Sequence, residues 1–117
     1  KNRNAMNLRY LIGFCLILVG CDGDGIKDKD PDERMIREAM CVVASERFQL
    51  YDEAERHRAH GIEAGRVRFN RDGTPNDFTE QIHKVRPLMN NFSKDYNAEY
   101  LKTRCDKRIT VGEFNSA

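Results

Sequence analysis

The sequence predicts an all-α fold, on two amphipathic stretches and a cysteine pair placed to tie them together. Apolar residues recur at Ile36, Met40, Val43, Phe48, Tyr51 and Ala54, close to the helical period. They recur again at Phe78, Ile82, Val85, Met89, Phe92 and Tyr96, spaced alternately four and three apart, with Tyr100 and Leu101 continuing the seam. Cys41 lies early in the first stretch and Cys105 late in the second, so two long helices in an antiparallel hairpin would bring them together.

Each element has its own start and stop signals. Asp30, Pro31 and Glu33 read as cap, first helical residue and capping-box acid, so the first helix is expected over 31–60. Met35, Val42 and Leu50 widen its stripe, and Gly61 reads as its stop. Gly65, Asn70 and Asp72-Gly73 are turn residues, while Val67-Arg-Phe69 alternates like a short strand. Thr74-Pro75-Asn76-Asp77 then opens the second helix, which Pro87 should kink or split near Arg86. The end, Arg108 to Phe114, alternates again, which admits a small ribbon of 67–69 with 109–111. At this spacing Phe48, Tyr51, Phe78, Phe92, Tyr96 and Tyr100 read as core rather than as a recognition surface.

The first 20 residues do not belong to that fold. Lys1, Arg3 and Arg9 give a basic start, and Leu11 to Val19 is an apolar run too short to span a bilayer. That order marks a secretion signal. Its end, Leu18-Val19-Gly20-Cys21, resembles the lipobox of bacterial lipoproteins. The resemblance implies cleavage before Cys21, a diacylglycerol on its sulfur and often an acyl chain on its amine. Two or three chains hold a small domain at a membrane durably, where one would not. It implies a periplasmic domain tethered to a membrane, and Asp22 leans the address toward the inner membrane, as it does in enteric bacteria.

Charge and cysteine use follow from the cut. With Lys1, Arg3 and Arg9 removed, the 20 basic residues fall to 17 against 19 acids, a net −2. That balance gives no electrostatic reason to bind nucleic acid. Of four cysteines, Cys15 leaves with the signal and Cys21 carries lipid. Cys41 and Cys105 remain, and in an oxidising compartment they should pair. The bond would contribute roughly 4 kcal/mol on the chain-entropy model, which matters to a domain that buries only ~60% of its unfolded surface. The chain therefore divides into a signal at 1–20, a lipidated cysteine with an acidic tether at 21–33, and a helical domain at 34–117.

Two segments carry candidate metal chemistry. Asp22-Gly-Asp-Gly-Ile-Lys-Asp28 looks like the calcium loops of thrombospondin type 3 repeats, which would make Asp22, Asp24 and Asp28 oxygen ligands. The first ligand position of that pattern falls on Gly20 and its last on Pro31, and no second repeat follows. The composition from Asp22 to Glu33 is otherwise that of a solvated spacer. His57 and His60 share a helix face, with Glu53 one turn before and Glu63 just after, a pattern that suits zinc, copper or nickel. No second ligand cluster accompanies it and the surrounding run is charged throughout, so the favoured reading is a solvated, salt-bridged helix end.

No catalytic constellation accompanies them. Glu80-Gln-Ile-His83 is a single copy of an element that di-iron bundles need twice. Ser45 and Ser93 lack a nucleophile elbow, and no glycine-rich phosphate loop occurs. The basic run Lys102 to Arg108 sits where cations favour a helix C-terminus. The sequence thus predicts no enzyme and no cofactor beyond the lipid on Cys21. It predicts a membrane-anchored module that binds another envelope protein, of accessory or exclusion type, with self-association as a further way to cover its wide stripes. The alternative is a small metal or ligand carrier using His57 and His60 or the acidic segment.

Overall fold

Helical segments joined by short turns give five helices and no strand among the described residues, 30–117 of a computed structural model. The lipobox residues, Cys21 and the acidic positions Asp22, Asp24 and Asp28 lie outside the described residues. In order, the helices are α1 (Pro31–Arg47), α2 (Tyr51–Asp72), α3 (Phe78–Asn91), α4 (Lys94–Arg104) and α5 (Val111–Ser116).

The central element is α1. It opens on Pro31, whose missing N–H is no loss at a helix start, with Asp32 and Glu33 favouring the positive end of its dipole. Residues Cys41 to Ser45 are buried in succession, so this turn has neighbours on every side. It packs most extensively on α2, then α3, then α4, while α2 and α3 touch little. Met35, Val42, Phe78, Ile82, Met89 and Leu101 form the fully buried heart, each worth about 2 kcal/mol of transfer free energy. The expected disulfide is present: Cys41 and Cys105 are joined with Cα atoms 5.7 Å apart.

The expected first helix is two helices. At its break Leu50 N–H donates to the Ser45 carbonyl at 2.9 Å and Gln49 N–H to the Glu46 carbonyl at 2.9 Å. Gln49 sits at φ 61°, the left-handed position of a Schellman stop that glycine usually fills. A glutamine gives no such signal in sequence. The true stop of α2 is Gly73 at φ 79°, its N–H bonded to the Phe69 carbonyl at 2.7 Å. Gly61 does not end the helix; it lies inside α2, where a Cβ would overlap the Phe78 ring. Val67 and Phe69 are also helical, and Thr110 caps α5 in a reciprocal box with Glu113, so the proposed ribbon does not form.

The second half breaks elsewhere than at Pro87, which lies within α3. Helix α3 ends at Asn91, and Ser93 starts α4 by accepting the Tyr96 N–H at 3.0 Å. The carbonyls exposed at that break find new donors. Buried Asn97 gives Nδ2–H to both Met89 and Ser93 carbonyls at 3.0 Å. Arg47, from the last turn of α1, donates to the carbonyls of Met89 and Phe92. Nor does α3 start at Thr74-Pro75. The first helical residue is Phe78, and the Thr74 hydroxyl bonds Asp72 instead.

Three residues expected in the core are on the surface. Ile36, Tyr51 and Tyr96 are 51%, 62% and 42% exposed. Tyr51 is turned outward by the break before it. Tyr96 stacks between Phe92 and Tyr100 along α4, with ring centroids 4.3 and 6.3 Å away.

Candidate metal centre

His57 is buried because its turn of α2 faces α1. Ala54, His57, Gly61, Ala64 and Arg68 follow one another at three- and four-residue steps and form the inner stripe of α2. Opposite it stands Glu38, an acid set between the apolar Met35 and Val42 of α1 and only 4% exposed. Its Oε1 lies 2.6 Å from His57 Nδ1. Its other oxygen accepts from Arg37 at 3.0 Å. His60, one turn beyond on the half-open rim, brings Nδ1 to 4.0 Å from the same Glu38 Oε1.

Glu38, His57 and His60 each offer one ligand atom within 4.8 Å of the other two. Glu38 would hold the imidazole by accepting from Nδ1–H, which leaves Nε2 as the free nitrogen. That Nε2 is buried with no hydrogen-bond partner, and the nearest carboxylate, Glu53 Oε1, is 3.9 Å away. Glu53 itself is held by Arg56, whose guanidinium keeps its carboxyl below the usual range. The end of α4 closes the site. Arg104, Cys105 and Asp106 join Arg37, Arg56 and the cluster around an open cleft of about 250 Å³. The disulfide sulfurs lie within 4.8 Å of a His57 ring nitrogen.

Of the sequence candidates, His57 and His60 thus come together. The solvated reading holds for His60 and fails for His57. Glu53 stands beside the site, whereas Glu63 is paired with Arg66 away from it. Glu80 and His83 are exposed on α3 and belong to neither of the metal-capable clusters among the described residues. Ser45 is buried in the core and Ser93 is a helix cap, so neither lies at the cleft. Glu38 was the residue that sequence reasoning missed. Its signal was present: a lone acid inside an otherwise apolar helix stripe needs a buried partner.

A second buried charge does structural work. Arg68, 7% exposed on α2, donates to Asp32 at 2.9 Å, to Asp77 at 2.7 Å and to the Pro75 carbonyl at 2.8 Å. It fastens the start of α1 and the turn before α3 to α2. Its guanidinium holds the carboxyls of Asp32 and Asp77 below the usual range. Asp72 is lower still, at about 2, because the Thr74 hydroxyl and amide both donate to it.

No family model matches this chain, and no curated protein or solved structure is significantly similar to it. Among the described residues no helix is long and apolar enough to cross a membrane.

Proposed function

We propose that this chain is a lipid-anchored envelope module whose helical domain binds another envelope protein without catalysing a reaction. Cys21 carries the lipid at the end of the Leu18-Val19-Gly20 lipobox, and the acidic residues that follow act as the stalk. The periplasmic face is its place, with the inner membrane favoured by Asp22.

The observation that carries the reading is apolar surface the domain does not use. The core closes without Ile36, Ile62, Phe69 and Leu88, which stand 51%, 47%, 53% and 48% exposed. They are spread over three helices, and one of them, Ile36, lines a groove. Ile36 of α1 and Val85 of α3 line it with Asp77, Gln81 and Lys84, and Leu88 follows Val85 by one turn. An open groove with apolar Ile36 and Val85 on its walls favours contact with another macromolecule. Tethering helps a modest surface, because an anchored domain meets its membrane partner at a high effective concentration.

The test is photo-crosslinking in cells that express the full anchored chain, with the reactive side chain placed at Ile36 or Leu88. The reading expects a discrete adduct with one envelope protein, absent when the probe sits at exposed, polar Thr79. No adduct above background at either position would contradict it.

A further inference from the structure

We infer that Glu38, His57 and His60 form a binding site for a transition-metal dication, zinc being the ion their chemistry fits best. This goes beyond the docking role and does not depend on it. Three observations converge. The donor set is two imidazole nitrogens and one carboxylate, which suits zinc far better than calcium or magnesium. The donor atoms already lie within 4.8 Å of one another, drawn from two helices onto one face of the cleft. His57, finally, is 4% exposed and has an orphaned ring nitrogen.

That orphan tells how the site would load. With His57 neutral and Glu38 ionised, the ring's Nδ1–H donates to Glu38 Oε1 across their 2.6 Å contact. An ion entering between Glu38 Oε1 and His57 Nδ1 takes the place of that proton, which moves to Nε2. Nε2–H then needs an acceptor, and Glu53 Oε1, 3.9 Å away, is the carboxylate set beside it. His60 Nδ1 supplies the third ligand from the rim, where a small rotation costs little because the side chain is half exposed. The fourth position faces the cleft. Arg37, Arg56 and Arg104 line that cleft, so an anion or water is the group expected there.

Cys41 and Cys105 stand close by but contribute no thiolate while they are bonded to each other. The test therefore uses the full chain in detergent with its disulfide intact and no reductant. Zinc chloride is titrated by calorimetry in excess calcium, which occupies any oxygen-only site in the acidic segment. The expected result is one zinc per chain with a dissociation constant of about 10 μM or tighter. His60→Ala, at an exposed position that leaves the core untouched, should weaken binding about tenfold or more. Glu38→Gln should do the same where the variant folds. His83→Ala, on a different helix, should change nothing. Cobalt substituted for zinc should give the visible absorption of a four-coordinate nitrogen and oxygen site. Millimolar binding, or equal affinity in the His60→Ala and His83→Ala proteins, would overturn the assignment.

Discussion

Glu38 and His57 meet across the contact between α1 and α2 with 2.6 Å between Oε1 and Nδ1, both almost wholly buried. Nineteen residues apart in the chain, they turn a charged helix stretch into an inward-facing one. Their pairing places these two buried polar groups near the disulfide rather than inside the apolar heart. It also explains why α2, among the most charged segments of the molecule, packs so extensively on α1.

Arg68 should be the side chain whose loss loosens the most elements at once. Arg68→Met removes its three hydrogen-bonded partners, Asp32, Asp77 and the Pro75 carbonyl. Both carboxylates can still reach water, so the cost should be about 2 kcal/mol, below that of stranding a fully buried charge. Urea unfolding at neutral pH measures it.

The same contact sets an acid dependence. Asp32 and Asp77 have folded pKa values below their unfolded ones. Their contribution is complete above the unfolded value, about 4, and is lost as pH falls through the folded values. Stability measured from pH 6 down to pH 2 should therefore fall less steeply in Arg68→Met than in the native chain. Parallel curves would mean that Arg68 does not depress these groups.

Gly61 should tolerate no side chain. A Cβ there meets the Phe78 ring, which is itself fully enclosed and cannot swing away. Gly61→Ala should cost about 1–3 kcal/mol despite alanine's better helix propensity. An increase in melting temperature would show that α2 and Phe78 are not in close contact.

Gln49 should behave oppositely. It holds φ 61° at the stop of α1, a conformation that costs an L-residue about 1 kcal/mol. Gln49→Gly should stabilise the domain by about that amount, offset in part by the freer unfolded chain. Thermal unfolding of the two proteins compares them directly.

What sequence could and could not reveal divides along the range of the interactions. Pro31, the seam Phe78-Ile82-Val85-Met89 and the Cys41–Cys105 pair were legible because helix-start chemistry, local periodicity and an even pair of cysteines mark them in the sequence. The turn at Gln49 was not, because its left-handed residue is neither glycine nor asparagine. Gly61 misled for a related reason: glycine marks both helix ends and close approaches, and only the Phe78 ring decides between them. Pro87 marks a kink or split in the sequence, yet the break comes at Ser93, which caps α4 and whose carbonyl accepts from buried Asn97. For the candidate metal centre, the His57–His60 spacing was visible, while Glu38 comes from another helix and is brought in by packing alone.

The most direct test of the anchored-module account is the crosslink yield at Leu88 in a chain carrying Cys21→Ser. The account predicts that this change abolishes lipid labelling and membrane retention. It also predicts that the adduct formed by the native chain falls sharply, because the domain no longer waits beside its partner. Undiminished crosslinking, or lipid labelling that persists without Cys21, would contradict it.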